Sequence, residues 1–158
     1  MRGRKAVRPV LEPDALYDSR LVTRLANKTM YSGKKSIALT AVYKALEKIK
    51  EDSKQDPLTV LEKAIQNVAP KMEVRPRRVG GASYQVPVEV RGDRKEALAI
   101  RWILAGARAK SNKEFHHFYE KLAKELLDAS NNAGFAVKKR DDVQKVAQAN
   151  KAFSHFRF

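Results

Sequence analysis

Apolar residues recur every three or four positions along most of this chain, which places them on one face of an α-helix. A first helix is predicted from about Leu21, with Asp18 or Ser19 as its N-cap. A second is predicted from a cap at Ser36 to about Glu51. The stripes that indicate these helices are Leu21, Val22, Leu25 and Ala26, and then Ala38, Ala41, Val42, Ala45, Leu46 and Ile49.

The same period predicts four more helices. Asp56-Pro57 is an N-cap followed by proline at the first helical position, and Pro70 ends that helix. Asp93 and Glu96 have the spacing of a capping box at the start of a fourth helix. The remaining stripes are Leu58, Leu61, Ala64, Ile65 and Val68; Ala97, Ile100, Ile103, Leu104 and Ala107; Phe115, Phe118, Tyr119, Leu122 and Leu126; and Ala136, Val143 and Ala147.

Between the third and fourth helices the apolar period changes from about 3.6 to two. Tyr84, Val86, Val88 and Val90 share one face of a strand, and Gly80-Gly81 separates it from an alternating run that begins at Met72. The pattern predicts a β-hairpin at about 72–91. Pro76 and Pro87 lack an N–H group, so they belong at edges or bulges.

The predicted fold is therefore mainly α, a six-helix single domain over residues 18–158 with one protruding β-hairpin arm. Residues 1–17 are predicted to be an extended basic N-terminal arm, because Pro9 and Pro13 disfavour a helix. A solvated tail and an arm that orders against phosphates both fit this segment. Its cations are Arg2, Arg4, Lys5 and Arg8.

The net charge of the 158 residues is +15, from 33 lysines and arginines against 18 acids. Such an excess repels itself in a compact fold, and a polyanionic partner accounts for it, because each neutralised phosphate releases counterions. Charge alone does not separate nucleic acid from anionic lipid. The absence of cysteine excludes disulfides and thiol chemistry, and neither a secretory signal nor a membrane span is predicted, so we expect a cytosolic protein.

Basic residues concentrate in the hairpin and at two predicted helix ends. Arginines bind phosphate bidentately, and a projecting ribbon can enter a nucleic-acid groove. The alternative is that the charges protect exposed strand edges from aggregation. Lys34 and Lys35 precede a helix N-terminus, which attracts anions; a solvated turn is the alternative. The candidate RNA-binding residues are Lys28, Lys34, Lys35, Arg75, Arg77, Arg78, Tyr84, Gln85, Arg91, Arg94, Arg101, Arg108, Lys110 and Lys113, with the arm's Arg2, Arg4, Lys5 and Arg8.

No catalytic constellation is predicted. Gly33-Lys34-Lys35-Ser36 lacks the upstream glycine and leading strand of a nucleotide-binding loop. Adjacent His116 and His117 would diverge by about 100° on a helix, so they cannot converge on a metal. Trp102 and the aromatics at 115–119 could stack on bases, but the spacing of Phe115, Phe118 and Leu122 favours a core role. We expect no enzyme, no metal, no cofactor and no small-molecule substrate.

Four stretches together resemble the bacterial small-subunit ribosomal protein seven family. They are Gly33-Lys34-Lys35-Ser36-Ile37; VRPRRVGGASYQVPVEV at 74–90; ALAIRWILAGAR at 97–108; and KLAKELLDASNNAGFAVKKRDD at 121–142, running on to ANKAFSHFRF at 149–158. The resemblance covers nearly the whole chain, from about Leu16 to Phe158.

The resemblance implies a six-helix body with a hairpin arm that binds the 3′ major domain of small-subunit ribosomal RNA directly. It implies that the protein organises a multi-helix junction and nucleates assembly of the subunit head. The hairpin would lie near the exit tRNA site and the mRNA path, with small-subunit ribosomal protein eleven and other head proteins as neighbours. The residues near exit-site tRNA would be Gly80, Gly81, Ala82, Lys151, His155 and Arg157. The alternative is a basic DNA-binding or architectural protein; an enzyme acting on RNA has the least support.

Overall fold

The structure, a computed structural model, describes Gly3 and residues 10–156. The predicted contacts at Arg2, Arg4, Lys5, Arg8 and Arg157 lie outside the described residues. The described elements are α1 (Arg20–Thr29), α2 (Lys35–Ser53), α3 (Pro57–Val68), β1 (Met72–Val79), β2 (Ala82–Glu89), α4 (Gly92–Ala109), α5 (Phe118–Ser130), α6 (Gly134–Ala149) and a C-terminal 3₁₀ helix (Lys151–Phe156). The predicted fold class, mainly helical with one β-hairpin, is confirmed.

Helix α5 is the centre of the core. It packs against α2, α3, α4 and α6, while α1 packs on α2 and α4. Full burial of a large aliphatic side chain contributes about 1.5–3 kcal/mol, so each such side chain in this interior stabilises the fold. The largest fully buried apolar side chains are Leu25, Leu46, Ile49, Leu61, Ile100, Ile103, Leu122 and Leu126.

One carboxylate lies inside this apolar core. Glu125 of α5 is 0% exposed, and its Oε1 accepts a hydrogen bond of 3.0 Å from the backbone N–H of Ala136 at the start of α6. Its Oε2 lies 3.0 Å from Nζ of Lys110, just after α4. Glu125 therefore joins the ends of α4 and α6 to the central helix.

We expect Gly106→Ala to destabilise the protein by about 1–3 kcal/mol, whereas Gly92→Ala in the same helix is neutral or slightly stabilising. A Cβ at Gly106 would stand 2.6 Å from Oε1 of Glu125 and 3.1 Å from Cβ of Phe135, while one at Gly92 meets nothing within 4 Å. Urea unfolding of the two variants measures the difference. Equal stability of both would mean that Glu125 can move aside at no cost.

The hairpin turns tightly at its tip. Strands β1 and β2 pair antiparallel from Met72 opposite Glu89 to Val79 opposite Ala82. Gly80 and Gly81 have φ of +57° and +89°, as a two-residue turn with positive φ at both positions requires. Just beyond the Met72–Glu89 end of this ladder, the Val90 N–H donates a hydrogen bond of 3.1 Å to the Lys71 carbonyl. The predicted hairpin and its glycine turn are confirmed.

Both hairpin prolines stand where the ladder needs no N–H group. Hydrogen-bonded and non-hydrogen-bonded pairs alternate along an antiparallel ladder, starting from a bonded pair beside a two-residue turn. The alternation puts Pro76, opposite Gln85, and Pro87, opposite Val74, in non-bonded pairs. Both strands of a two-stranded ribbon are edges, so the predicted edge placement holds.

The base of the hairpin is anchored and its outer half is exposed. Val86 and Val90 are buried, and the ribbon packs against α6 and the 3₁₀ helix. The rings of Tyr84 and Phe153 lie 5.3 Å apart. This 3₁₀ helix, which packs against β2, was not predicted from the sequence.

The segment just before α1 is tied to the body by Asp14. This carboxylate is buried and accepts hydrogen bonds from Leu16 N–H at 3.1 Å and from the Tyr43 hydroxyl at 2.7 Å. The bond to Asp14, with burial, raises the pKa of Tyr43 to about 12. The part of the arm from residue 14 onward therefore packs on α2.

The predicted caps agree with the structure at one helix. Asp56 caps α3 by accepting a 3.0 Å bond from Thr59 N–H, with Pro57 as the first residue. Ser19 occupies the N-cap of α1 but makes no side-chain bond to it, and Asp18 has φ of +46°. The predicted N-cap of α1 is therefore at the right position, but its side chain does not make the capping hydrogen bond.

Three other helix starts were predicted wrongly. Helix α2 begins at Lys35, so Ser36 lies inside its first turn. Helix α4 begins at Gly92, and Glu96 forms an ion pair with Arg24 instead of closing a capping box with Asp93. The apolar stripe predicted for α5 also started too early. Helix α5 begins at Phe118 with His117 as its N-cap, so Phe115 lies before the helix. Ion pairing between elements outweighed the local signal at Glu96.

Candidate nucleic-acid interface

Three arginines lie along one side of α4. Arg94, Arg101 and Arg108 are seven residues apart, and seven residues are close to two full turns of an α-helix. Arg101 and Arg108 are exposed, while Ile100, Ile103 and Leu104 of the same helix are buried. The helix therefore separates a cationic face from the face that packs in the core.

Helix α1 presents a second cationic stripe. Arg20, Arg24 and Lys28 are spaced four residues apart, and Arg20 and Lys28 are exposed. Val22 and Leu25 point into the core. Only Lys28 of this stripe was predicted as a candidate, although the four-residue spacing of the cations is visible in the sequence.

The two stripes lie beside each other. Arg24 forms ion pairs with Glu96 and, at 3.8 Å, with Asp93 at the start of α4. At the other end, the Arg108 guanidinium donates to the Thr29 carbonyl at 3.5 Å. We call these six cations the basic band: Arg20, Arg24 and Lys28 of α1, with Arg94, Arg101 and Arg108 of α4.

A buried carboxylate connects the band to the hairpin. Glu73 of β1 accepts hydrogen bonds from Nε of Arg75 at 2.7 Å and from Nε of Arg94 at 2.8 Å to its other oxygen. Burial alone would raise the pKa of Glu73, but the bonds from Arg94 and Arg75 lower it below its ordinary value. Glu73 therefore stays ionised and holds the two arginines side by side.

The outer hairpin carries cations that face solvent. Arg77 and Arg78 are exposed, and neither forms an ion pair with another described residue. Gln85 and the tip residues Gly80, Gly81 and Ala82 are also exposed. Tyr84, predicted to stack on RNA, is partly exposed and packs its ring against Phe153. Arg91, the exposed N-cap of α4, lies where the hairpin joins that helix.

The turn between α1 and α2 meets the end of α4. Lys34 and Arg108 line one groove of about 380 Å³ although they are far apart in sequence. The Arg108 guanidinium lies 4.4 Å from the ring centroid of Tyr31. Lys35 is the exposed first residue of α2. The structure thus brings the predicted lysine turn and Arg108 into one site.

The last two cations predicted near α4 differ from each other. Lys110 is mostly buried and forms ion pairs with Glu125 at 3.0 Å and Asp128 at 3.2 Å. Burial would lower the pKa of Lys110, but these carboxylates raise it, so the ammonium stays charged as part of the core network. Lys113 is exposed in the loop before α5.

The C-terminal residues predicted near the exit site lie beside the hairpin base. Lys151 and His155 line a cavity of about 600 Å³ together with Met72 and Pro87 of the hairpin and with Gln148 of α6. They are separate from the Lys34 groove, whose described lining residues include none from the 3₁₀ helix.

Two other kinds of feature are absent among the described residues. No group of three His, Asp or Glu side chains among them could hold a metal ion. None of the helices in the part that the structure describes is long and apolar enough to cross a membrane.

A helical body whose surface cations continue onto a projecting hairpin defines a protein suited to binding nucleic-acid phosphates. Comparison with known proteins is consistent with that class. Residues 1–151 match the model of the family described as ribosomal protein S7p/S5e, and the chain belongs to this family. The resemblance predicted from the sequence is confirmed, and the family is one of ribosomal proteins rather than enzymes.

Relatives match over nearly their full length. The small ribosomal subunit protein uS7 of Kosmotoga olearia is 54% identical over 100% of both chains. The uS7 protein of Carboxydothermus hydrogenoformans is 54% identical over 99% of this chain and 98% of its own, and that of Dictyoglomus turgidum is 56% identical over 94% and 93%. The predicted localisation in the small ribosomal subunit is confirmed by this kinship.

Proposed function

We propose that this chain binds the 3′ major domain of small-subunit ribosomal RNA directly and organises a multi-helix junction there. The observation that carries the proposal is the continuity of the basic band with the hairpin through Glu73, Arg75 and Arg94. Neutralising phosphates along this surface would release counterions, which is the main source of affinity for nucleic acid.

The distribution of the cations favours a folded RNA over a straight duplex. They lie on α1, on the turn before α2, on α4 and on a ribbon that projects from the body. Cations fixed on four elements can contact backbones that run in different directions, as the helices of a junction do. A protein of this kind recognises shape and phosphate position rather than base sequence.

The resemblance to the family supports a second part of the proposal, which concerns assembly and position. We propose that the protein nucleates assembly of the subunit head and that its hairpin lies near the exit tRNA site and the mRNA path. The exposed tip at Gly80, Gly81 and Ala82 is available for such contacts. Small-subunit ribosomal protein eleven and other head proteins are the proposed neighbours.

We expect the full chain to bind a transcript of the 3′ major domain at least about 10³-fold more tightly than random duplex DNA of equal length. Filter binding at one fixed salt concentration measures both affinities, and chemical footprinting locates the protected nucleotides. Protection concentrated at a junction supports the proposal. Equal affinity for the two nucleic acids would instead indicate a general DNA-binding or architectural protein.

A further inference from the structure

The groove between α1, α2 and α4 is lined by apolar side chains that remain exposed. Tyr31 is 66% exposed and Ile37 is 64% exposed, and both line the groove of about 380 Å³. Met30, Ala38 and Phe118 complete much of its surface. Large apolar side chains that cluster at a concave surface indicate a binding site more strongly than scattered ones do.

The same groove has cations and no acid. Lys34 and Arg108 line it, and none of its lining residues is Asp or Glu. The start of α2 beside it has no acidic residue in its first turn and no side-chain cap. Among the described residues, no acceptor is found for the backbone N–H groups of Ser36 and Ile37. Free N–H groups and two cations together attract an anion.

We propose that this groove binds one unpaired nucleotide of an RNA, with the base against Tyr31 and Ile37 and the phosphate near Lys34 and the start of α2. The inference rests on the proposed function and adds a ligand to it, because phosphate contacts alone do not require an apolar surface. A nucleotide combines a flat apolar ring with an anion, which is the combination that these residues complement.

The Tyr31 ring is already in contact with another side chain. The Arg108 guanidinium lies 4.4 Å from its ring centroid, so the ring loses little side-chain freedom when a base packs against it. An apolar side chain from a protein partner would fit the ring and Ile37 equally well. It would leave Lys34 and the N–H groups of α2 without an anion, and for that reason we favour the nucleotide.

The test compares a short single-stranded oligoadenylate with an abasic oligomer of the same length and charge. The full chain is expected to bind the base-bearing oligomer about tenfold more tightly, because stacking of one base on an aromatic ring has an effect of this order. Tyr31→Ala should remove most of that difference and Tyr31→Phe should keep it. Fluorescence anisotropy with labelled oligomers measures these affinities.

Val146→Ala is the matched control, since Val146 is also an exposed apolar residue but lies on α6, away from the groove. It should keep the preference for bases. Equal binding of both oligomers by the unchanged chain, or a preference that survives Tyr31→Ala, would overturn the groove proposal. Binding to the 3′ major domain is measured in the same series, and its failure in the unchanged chain would count against the proposed function instead.

Discussion

Replacement of Glu125 by alanine is expected to lower the free energy of unfolding by about 3–5 kcal/mol, the largest stability effect that this fold suggests for a single polar side chain. The change removes the acceptor for Ala136 N–H and one of the two ion-pair partners of Lys110, and it leaves a cavity beside Gly106. Breaking a buried pair is costly because the remaining charge stays desolvated.

Urea unfolding followed by circular dichroism measures this effect. Glu125→Gln is the informative second variant: its carbonyl can still accept from Ala136 N–H, but the charge that faces Lys110 is gone, so we expect an intermediate decrease in stability. Glu114→Ala, at an exposed position, should change stability by less than about 0.5 kcal/mol. A Glu125→Ala variant as stable as Glu114→Ala would contradict the structural role of this carboxylate.

The apolar stripes predicted the helices well because burial dominates the free energy of folding. Leu122 and Leu126 of α5, and Ile100 and Ile103 of α4, were identified from spacing alone and are fully buried. Period two likewise predicted the hairpin, and Gly80-Gly81 predicted its turn. These signals are local in sequence, so no knowledge of the packed structure was needed to read them.

The predictions that failed depend on contacts between residues that are far apart in the sequence. Glu96 has the spacing of a capping residue, yet its carboxylate forms an ion pair with Arg24 on another helix. The buried pair of Glu125 and Lys110 gave no sequence signal, because a charged residue inside an apolar stripe looks like a position at the edge of that stripe. Lys110, predicted to bind RNA as part of the basic exit of α4, forms ion pairs with Glu125 and Asp128 that the sequence did not indicate.

The candidate site shows the same division. The hairpin arginines and the Lys34 turn could be predicted because each is a local cluster of charge. The band formed by α1 and α4 could not, because its two stripes become neighbours only when the helices pack. Tyr31 and Ile37 were missed for the same reason, since their exposure beside Arg108 depends on where α4 ends. Arg20 and Arg24 were missed although their spacing is visible in the sequence.

Replacing Arg77 and Arg78 together with alanine is expected to reduce the salt dependence of RNA binding by about 0.7–0.9 in the log–log slope for each phosphate that is no longer neutralised. Both side chains are exposed and form no ion pair with a described residue, so they are available for phosphates. Affinity for the 3′ major domain transcript, measured by filter binding across a series of salt concentrations, gives the slope.

Two comparisons make the hairpin experiment specific. Lys50→Ala with Lys63→Ala removes the same charge from exposed positions on α2 and α3, outside the hairpin and the basic band, and should leave the slope nearly unchanged. Arg75→Ala should reduce the slope less than Arg77→Ala or Arg78→Ala does, because Arg75 already donates to Glu73. If the double variant of Arg77 and Arg78 kept the slope of the unchanged chain, the outer hairpin would face solvent or another protein in the bound state. A slope that fell equally for the α2 and α3 lysines would mean that binding depends on net charge and not on the arrangement of cations that the fold creates.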